Sequence, residues 1–413
     1  MIGAVRGFKD IYGKEALVWE KLEKIIRKCF HIWGFNEVKL PILEKTELFQ
    51  RGIGDTTDIV EKEMYTFLDK SNESVTLRPE GTASIIRFFN EHKLYGQEKI
   101  FKFFYIGPMF RYERPQKGRL RQFHQAGVEL LGDETPYAEL EVLTLMSYLL
   151  DTLEIKERSL FINNLGCSDC RKDYKTKLLS YLEDREELCE DCKRRRLTNP
   201  LRILDCKQEQ CKESIVKAPK ITDFLCEHCK THQQHLEKLL NRVNIDYNID
   251  PHIVRGLDYY NKIVFEVHAK GLGAQSAILA GGRYDSLSKD LGGYDIPAVG
   301  WALGMERLSL LLSDDFVKDE GIDIFFIYFD EKGEEIAISA IYELRKKDIK
   351  TAYDATKGSL KSKLRKADKL KSRYVIILGE DEIKQNIFLL KNMADSTQKT
   401  FPLDKLKNLD KEI

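Results

Sequence analysis

Cysteine spacing places the tightest constraint on the fold of this 413-residue chain, because eight of its nine cysteines lie between residues 167 and 229. They form three pairs with two intervening residues and one looser pair: Cys167 and Cys170, Cys189 and Cys192, Cys226 and Cys229, and Cys206 and Cys211. Paired thiolates at such a spacing can bind the same tetrahedral ion. The eight cysteines therefore predict two structural Zn²⁺ sites whose pairing order the sequence leaves open, and reduced structural cysteines are the alternative.

The overall composition predicts a globular protein, with 42% hydrophobic and 32% charged residues. The 67 basic residues are balanced by 67 acidic residues, which excludes a uniformly basic nucleic-acid-binding chain but permits local basic patches. The longest strongly apolar run, residues 322–329, is too short to span a bilayer. The first ten residues lack the apolar stretch of a signal peptide. We therefore expect a cytoplasmic chain with no membrane partner.

Hydrophobic periodicity predicts an α+β fold around a mostly antiparallel sheet. A long amphipathic helix is expected over residues 15–33, because its apolar residues recur every three or four positions. Further helices are expected over residues 82–91 and 137–153. Alternating and aromatic runs predict strands over the following ranges: 38–43, 75–77, 100–109, 123–131, 160–162 and 263–269.

Two other regions depart from this pattern and predict a three-part organisation. The β pattern stops before the cysteine-rich residues 166–235 and resumes after them, which is typical of a module inserted into a larger domain. After residue 320 the chain alternates strand, helix, strand, helix and strand, which predicts a compact α/β domain with a largely parallel sheet. The predicted domains are residues 1–320, interrupted by the module at 166–235, and residues 321–413.

The segment from Tyr105 to Glu129 carries the clearest chemical pattern. Two strand-like runs flank a loop with five basic residues from Arg111 to Arg121 and a single acid, Glu113. An arginine guanidinium suits phosphate because it donates two parallel hydrogen bonds and stays protonated. A solvated basic hairpin is the alternative, although Arg111 ends an apolar strand, where a surface arginine is less expected.

This segment resembles the second signature motif of class II aminoacyl-tRNA synthetases, in the form found in histidyl-tRNA synthetases. Further motifs of that family follow the same order along the chain: the amino-acid-binding segment Thr76–Thr82, the two histidine-specific motifs Arg255–Tyr260 and Gly281–Asp285, and the third class II motif Ala298–Arg307. The first helix and the segment with Pro41 occupy the place of the first motif, which builds the family's dimer interface. The resemblance implies a homodimer and a class II catalytic domain with a cysteine-rich insertion, as in some bacterial members. It also implies a C-terminal anticodon-binding domain.

The resemblance implies ATP-dependent activation of L-histidine to histidyl-adenylate and its transfer to tRNA(His). Three arginines would then be catalytic: Arg111 at the α-phosphate and the carboxylate, Arg255 at the charge developing on the α-phosphate, and Arg307 at the tail of a bent ATP. Glu113 and Arg119 complete the implied ATP-binding set, and Mg²⁺ is expected with the phosphates. Without the family, Arg255 would be a residue of a strand-end turn, and Arg307 a helix-surface arginine.

The resemblance also implies the histidine-binding residues: Glu80, Gly81, Thr82, Arg111, Gln125, Glu129, Arg255, Tyr259 and Tyr260. An imidazole offers one donor and one acceptor nitrogen, so a specific pocket has to present partners for both. Glu129 and Tyr260 match the family positions that contact the ring. Glu80, Thr82 and Gln125 match those that hold the α-ammonium. Helix capping is the alternative for Glu80 and Thr82, and ordinary packing is the alternative for the two tyrosines.

Two basic regions are predicted to contact tRNA. The predicted residues are Arg114, Lys117, Arg119 and Arg121 in the loop of the arginine-rich segment, and Lys361, Lys363 and Lys366 in the C-terminal region. The latter three lie in residues 357–373, which carry eight basic residues and one acid. Phosphate contacts of this kind position an RNA without reading its bases. An ordinary solvated helix face is the alternative.

Three functions compete for the sequence. Histidine–tRNA ligase is the first. A regulatory subunit that senses histidine for histidine biosynthesis shares the catalytic fold, but it needs neither the phosphate-binding arginines nor a C-terminal RNA-binding domain. A zinc-dependent nucleic-acid-binding module would leave most of the chain unexplained. The sequence favours the ligase.

Overall fold

The computed structural model describes residues 2–206, 208–273, 276–318 and 321–411, with side chains described as far as residue 409. The chain divides into two compact units, Met1–Val317 and Lys318–Ile413. Within the described residues, no helix is long and apolar enough to cross a membrane.

An eight-stranded sheet forms the centre of the first unit. The strands of this sheet and of a smaller one are β1 (Asn36–Glu37), β2 (Leu43–Lys45), β3 (Tyr65–Leu68), β4 (Ser74–Leu77), β5 (Phe101–Phe110), β6 (Gln122–Leu131), β7 (Arg158–Asn164), β8 (Asn248–Ile249), β9 (Asn261–Ala269), β10 (Ala277–Arg283) and β11 (Ala298–Gly304). The large sheet has the order β1-β5-β6-β11-β10-β9-β7-β8. Its strands pair antiparallel except at the edges, where β1 and β8 pair parallel to their neighbours. The predicted α+β fold around a mostly antiparallel sheet is therefore confirmed.

Helices cover this sheet and fill the connections between its strands. They are α1 (Lys14–Ile32), α2 (Thr46–Ile53), α3 (Thr82–Glu91), α4 (Pro136–Thr152), α5 (Ser168–Leu182), α6 (Glu190–Thr198), α7 (Glu209–Val216), α8 (Glu227–Arg242), α9 (Leu287–Asp290) and α10 (Met305–Ser309). Short 3₁₀ helices span Leu94–Gly96, Pro200–Asp205 and Ile221–Phe224, and a π-helix spans Ile59–Glu63. The helices predicted over 15–33, 82–91 and 137–153 agree with α1, α3 and α4 to within one residue.

The two faces of the large sheet have different chemistry. On β6, Ala126, Val128 and Leu130 belong to an apolar core shared with α1 and α4. Their neighbours Gln125 and Glu129 lie on the opposite face, because successive side chains along a strand point to opposite sides of the sheet. Alternation along one strand thus leaves a second face on which polar groups can be held.

The cysteine-rich region lies between β7 and β8 and consists of helices. It runs through α5, α6 and α7 into α8 and carries two of the 3₁₀ helices. The predicted end of the module at residue 235 falls inside α8, and Leu236 and Leu240 of that helix pack into the same core as α4. The last turns of α8 are therefore part of the larger domain's core.

A five-stranded sheet forms the second unit. Its elements are β12 (Ile324–Tyr328), α11 (Glu331–Arg345), β13 (Thr351–Tyr353), α12 (Leu360–Lys369), β14 (Tyr374–Leu378), α13 (Glu380–Lys384), β15 (Ile387–Asn392), β16 (Gln398–Pro402) and a 3₁₀ helix at Leu403–Lys411. The order is β13-β12-β14-β15-β16, with the first three strands parallel. The predicted alternation of strands and helices is present. The expectation of a largely parallel sheet is incomplete, because β15 and β16 add an antiparallel hairpin.

The strand predicted over residues 38–43 is wrong for most of its length. Strand β1 ends before it, and β2 begins only at its last residue. The buried Arg78 explains this, because its Nη1 donates to the carbonyl oxygens of Leu40 and Pro41 at 2.8 and 3.2 Å. These carbonyl groups are satisfied by a guanidinium, so the segment needs no strand partner there.

Candidate active site

A cavity of about 460 Å³ lies on the polar face of the large sheet. Segments distant in sequence form its walls: the β5–β6 hairpin, strands β9 to β11, helix α10, and the residues that precede α3 and β9. The structure brings these predicted site residues together around it: Glu80, Thr82, Arg111, Glu113, Arg119, Gln125, Arg255, Tyr259, Tyr260 and Arg307. Gly81 and Glu129 are not among the residues that line it, and Glu129 is fully buried.

Three arginines reach the cavity from different elements, and each is anchored by an oxygen. Nε of Arg111 donates to the carbonyl of Pro79 at 2.8 Å, and Nη1 of Arg307 donates to the carbonyl of Ala277 at 2.7 Å. Arg255 forms an ion pair with Glu266. Fixed guanidinium groups that line one cavity make a preorganised site for an anion.

The pKa of Arg307 is affected by the positive charges that converge on the cavity. Burial lowers the pKa of Arg307, and the nearby guanidinium groups of Arg119 and Arg111 lower it further. An arginine on a solvated helix face would experience neither effect. Arg307 is therefore not a solvated residue on a helix surface.

The loop between β5 and β6 folds back as a tight turn beside Arg307. Gln116 and Arg119 exchange two backbone hydrogen bonds of 2.9 Å, and Gly118 between them has φ of 72°, a conformation that favours glycine. Nε of Arg119 lies 2.7 Å from Glu113, whose other oxygen lies 3.9 Å from Arg111. Glu113 thus orders two of the cavity's basic side chains.

A buried carboxylate, Glu129, stands behind the other end of the cavity. Thr82 donates a hydrogen bond of 2.7 Å to one of its oxygens, and the hydroxyl of Tyr284 donates to the other. Burial raises the pKa of Glu129 to about 8, although both hydrogen bonds act in the opposite direction. Gly300 on β11 leaves room for it, since a Cβ there would overlap the Glu129 carboxylate.

Helix α3 begins at this end of the cavity, and Glu80 caps it. The two carboxylate oxygens of Glu80 accept hydrogen bonds from the backbone amides of Thr82 and Ala83 at 2.6 and 2.9 Å. The capping alternative for Glu80 is therefore realised, and Glu80 lines the cavity as well. Gly81 packs against the ring of Tyr105, which leaves no space for a Cβ.

Four buried polar atoms of cavity-lining residues have no hydrogen-bond partner within the described chain. They are Oε1 of Gln125, which is an acceptor, Nε of Arg255, which is a donor, and the hydroxyl oxygens of Tyr105 and Tyr259. Buried polar groups in native proteins are nearly always paired. A ligand in the cavity would supply the missing partners.

Several residues of the site were not expected from sequence. Glu266 pairs with Arg255 and also lies 2.9 Å from Nε2 of His268, whose Nδ1 lies 2.9 Å from Ser276. Their signal was available, because Glu266 and His268 are polar residues two positions apart in the otherwise apolar run 263–269 and so share one face. Tyr284 lies in the histidine-specific motif Gly281–Asp285, but its contact with Glu129 was not predicted, because that contact depends on how separate segments pack.

The eight clustered cysteines form two groups of four. Cluster A contains Cys167, Cys170, Cys226 and Cys229, and cluster B contains Cys189, Cys192, Cys206 and Cys211. Within each cluster the sulfur atoms all lie within 4.8 Å of one another. Four thiolates at such separations are a donor set that fits tetrahedral Zn²⁺. The structure thus gives the pairing order that spacing alone left open.

Comparison with known proteins places this architecture in a family. A model of the family described as histidyl-tRNA synthetase matches residues 7–308. The chain belongs to the histidyl-tRNA synthetase family. Residues 323–412 match the family described as anticodon binding domain, and the predicted fold class is confirmed in both parts.

Relatives of this histidyl-tRNA synthetase chain match it along nearly its whole length. Proteins named histidine–tRNA ligase from Geobacter sulfurreducens and Halothermothrix orenii are 47% and 46% identical to it over 404 and 401 residues. These matches cover 98% and 96% of this chain, and the same shares of the relatives. A solved structure of apo S. aureus histidyl-tRNA synthetase is 34% identical, with a TM-score of 0.82 and 99% of each chain covered.

The basic residues predicted to contact tRNA lie in two regions of the chain. In the β5–β6 loop, Arg114 and Lys117 are exposed. Arg121 is half-buried, with its guanidinium 3.5 Å from the centre of the Tyr112 ring. On α12 of the second unit, Lys361 and Lys366 are exposed.

The prediction for Lys363 needs correction. Its side chain is buried, and its Nζ donates to the carbonyl oxygens of Tyr328 and Asp354 at 3.1 and 2.8 Å. An ammonium group held by two carbonyls inside the unit is not presented to a phosphate at the surface. Lys363 is therefore a structural residue of the C-terminal unit.

Proposed function

We propose that the chain is a histidine–tRNA ligase, which activates L-histidine with ATP and transfers it to the 3′ end of tRNA(His). The observation that carries this proposal is one cavity with three anchored arginines and, at its other end, a buried carboxylate behind hydroxyl-bearing side chains. The first arrangement suits a triphosphate and the second suits an imidazole. A cavity with both can bring ATP and histidine together.

In the first step, a carboxylate oxygen of histidine attacks the α-phosphorus of ATP. A new oxygen–phosphorus bond forms, the bond to the β-phosphate oxygen breaks, and pyrophosphate leaves. We assign Arg111 to the α-phosphate and the attacking carboxylate, Arg255 to the charge that develops at phosphorus, and Arg307 to the distal phosphates. Catalysis here rests on positioning and charge stabilisation.

The remaining ATP contacts belong to Glu113 and Arg119. Arg119 lies beside Arg307 and adds a further positive charge at the phosphates. Mg²⁺, when bound, would neutralise charge on phosphate oxygens, and the cavity-lining carboxylate of Glu113 would hold it. An oxygen ligand of this kind fits a hard divalent cation.

Histidine binds at the end of the cavity lined by Glu80, Thr82 and the two tyrosines, with Gly81 between Glu80 and Thr82 in the chain. Glu129 accepts the imidazole N–H, since a carboxylate that already accepts two hydrogen bonds has acceptor capacity left. Tyr260 contacts the second ring nitrogen, and Tyr259 lines the pocket beside it. Glu80, Thr82 and the unpaired oxygen of Gln125 hold the α-ammonium. A pocket that satisfies both ring nitrogens rejects amino acids without them.

In the second step, the terminal ribose hydroxyl of the tRNA attacks the activated carbonyl and AMP leaves. No protein nucleophile is required. Arg114, Lys117, Arg119 and Arg121 of the β5–β6 loop are assigned to the acceptor end. The exposed face of α12 with Lys361 and Lys366 is assigned to phosphates near the anticodon.

The wider organisation completes the proposal. Residues 1–320 form the catalytic domain, 166–235 its insertion, and 321–413 the anticodon-binding domain of a cytoplasmic enzyme. Each cysteine cluster holds one structural Zn²⁺. A homodimer is proposed through the first-motif region. Exposed apolar residues in or next to the small sheet formed by β2, β4 and β3 support it: Ile42, Leu43, Phe67 and Leu68.

Amino-acid-dependent exchange of pyrophosphate into ATP, run with each of the twenty amino acids, tests this function. Exchange with histidine alone is expected, followed by attachment of histidine to a tRNA(His) transcript. Binding of histidine without exchange would contradict the proposal and favour the regulatory alternative. Exchange with a different amino acid would contradict the assigned pocket.

A further inference from the structure

The cysteine-rich region forms direct hydrogen bonds with the loop that contains three predicted site residues. This loop, residues 254–260, precedes β9 and carries Arg255, Tyr259 and Tyr260. Both ends of it receive hydrogen bonds from the cysteine-rich region. The two contact regions are adjacent in sequence to the two different cysteine clusters.

The first contact region is the 3₁₀ helix Pro200–Asp205, which is followed at once by Cys206 of cluster B. Arg202 in this helix donates from Nη1 to the carbonyl of Gly256 at 2.8 Å, and from Nη2 to Asp58 at 3.1 Å. At the start of the helix, the Asn199 side chain donates to the carboxylate of Asp258 at 2.8 Å. The main chain immediately after Arg255 is therefore held by this helix.

The second contact region is the first turn of α5, beside cluster A. Nη1 of Arg171 donates to the carbonyl of Tyr260 at 3.1 Å. The backbone amide of Arg171 donates to the carbonyl of Cys167 at 3.0 Å, and Cys170 directly precedes it. The far end of the loop is thus held by a residue adjoining the other cluster.

Packing joins the same groups. Cys192 and Cys211 of cluster B belong to the apolar core that contains Tyr259 and Tyr260. The next residue before Cys206, Asp205, lines the active-site cavity. Cluster B and the substrate pocket therefore share one apolar core. A displacement of the cysteines would change the packing around the two tyrosines.

The 3₁₀ helix that makes the first of these contacts is too small to be stable alone, whereas α5, which makes the second, has 15 residues. A 3₁₀ helix of six residues has poor hydrogen-bond geometry and needs support from its surroundings. Four thiolates around an ion would fix the ends of such elements, because metal binding and local folding are coupled. Without the ion, Arg171 and Arg202 would lose their fixed positions.

We propose that metal binding in the two cysteine clusters positions the histidine pocket, with Arg202 and Arg171 as the residues that transmit the constraint to the two ends of the 254–260 loop. This inference rests on the proposed ligase function. The metal takes no part in the chemical steps. It holds the loop in the conformation that presents Arg255 and the two tyrosines to the substrate.

The first test compares arginine variants of the full-length protein purified without chelator. Arg202→Ala is expected to raise the KM for histidine in pyrophosphate exchange about ten-fold, with the KM for ATP changed by less than about two-fold. Its zinc content should equal that of the wild type. Arg171→Ala should act in the same direction, and Arg202→Lys should recover part of the loss.

The matched control is Arg196→Ala. Arg196 lies in the same region and also donates to main-chain carbonyls, those of Leu182 and Glu183, but these are outside the loop. Both KM values should stay at the wild-type level in this variant. Equal KM values for histidine in Arg202→Ala and Arg196→Ala would overturn the proposal. So would a fall in kcat with an unchanged KM for histidine, because the histidine pocket would then be intact.

The second test removes and restores the metal. Chelation of the wild-type protein should weaken histidine binding, measured by calorimetry, by at least about ten-fold, and added Zn²⁺ should restore it. Unchanged affinity in the zinc-free protein, or purification of an active enzyme without metal, would overturn this proposal and leave the ligase assignment intact. Absence of exchange by the zinc-loaded protein would contradict the ligase assignment instead.

Discussion

The arginines of the cavity and the lysines of α12 carry the same charge in different surroundings. The side chains of Arg111 and Arg255 are 19% and 17% exposed, and each is anchored by an oxygen acceptor. The side chain of Lys366 is 48% exposed, although its Nζ lies 2.7 Å from the Asp354 carboxylate. The first group forms a fixed site inside a cavity, whereas the second lies on a solvated surface.

This difference suits the cavity arginines to catalysis and the α12 lysines to RNA binding. Preorganised charges in a site shielded from water act strongly on charge that develops in a transition state. Exposed charges are screened by salt and contribute little individually, yet several together can hold a polyanion. Substitutions in the cavity should therefore change the chemical step by large factors, and substitutions on α12 should change only RNA affinity by small ones.

The largest effect is expected for Arg255→Ala. Loss of this guanidinium should lower the rate of histidine-dependent pyrophosphate exchange about 10³-fold, because the charge at the α-phosphate loses a fixed partner. Histidine binding should stay measurable by calorimetry. Arg255→Lys keeps the charge without the planar fork and should recover only part of the rate. An unchanged exchange rate in Arg255→Ala would remove this residue from the catalytic set.

Arg307→Ala should have the next largest effect, on ATP. Its guanidinium is tied to the carbonyl of Ala277 and faces the distal phosphates in the proposed complex. We expect the KM for ATP to rise about 100-fold in the exchange assay. The KM for histidine serves as the internal control and should stay constant. A rise in both values would place Arg307 in the general structure of the cavity and not at the phosphates.

The variant Glu129→Gln tests whether burial raises the pKa of Glu129, because a raised pKa makes the free energy of unfolding depend on pH. The folded-state pKa of about 8 lies above the ordinary value of 4.5. The stability contribution of Glu129 is thus fully present below pH 4.5 and is lost as the pH rises to about 8, since only the folded state keeps the proton. The free energy of unfolding of the ligand-free variant, relative to that of the wild type, should rise by about 3 kcal/mol between pH 5 and pH 8.

Urea unfolding of both proteins at several pH values measures this difference. The gain should increase steadily with pH and level off above pH 8. A difference between the variant and wild type that stays constant with pH would show that Glu129 is ionised in the folded protein over the whole range.

The smallest effect is expected for the double variant Lys361→Glu and Lys366→Glu. Reversal of two surface charges should weaken binding of tRNA(His) on the order of ten-fold at low salt, and the loss should shrink as salt is added. Pyrophosphate exchange without tRNA should not change. Equal tRNA affinity in variant and wild type would assign the α12 lysines to an ordinary solvated face.

The sequence predicted those features that rest on local patterns or on whole motifs. Helices α1, α3 and α4 and the strands β5, β6, β7 and β9 of the large sheet were predicted, because each of them has its own hydrophobic pattern. Strands β1, β8, β10 and β11 of the same sheet were not predicted. The motif resemblance also brought Arg111, Arg255 and Arg307 together, although they are far apart along the chain. The structure then added how each of them is held.

The features that escaped the sequence depend on contacts between distant segments. The buried state of Lys363 depends on carbonyl groups of two other segments, so a basic run alone could not reveal it. The same holds for Arg78, which replaced a predicted strand by capturing its carbonyl groups. The pairing of cysteines into two clusters likewise required the folded chain.

A crystal structure of the full-length protein with a non-hydrolysable sulfamoyl analogue of histidyl-adenylate tests the central assignment most directly. The account predicts that the sulfamoyl group lies within hydrogen-bond distance of Arg111 and Arg255, and that the imidazole N–H donates to Glu129. An analogue bound outside the cavity, or with its imidazole ring directed away from Glu129, would contradict it.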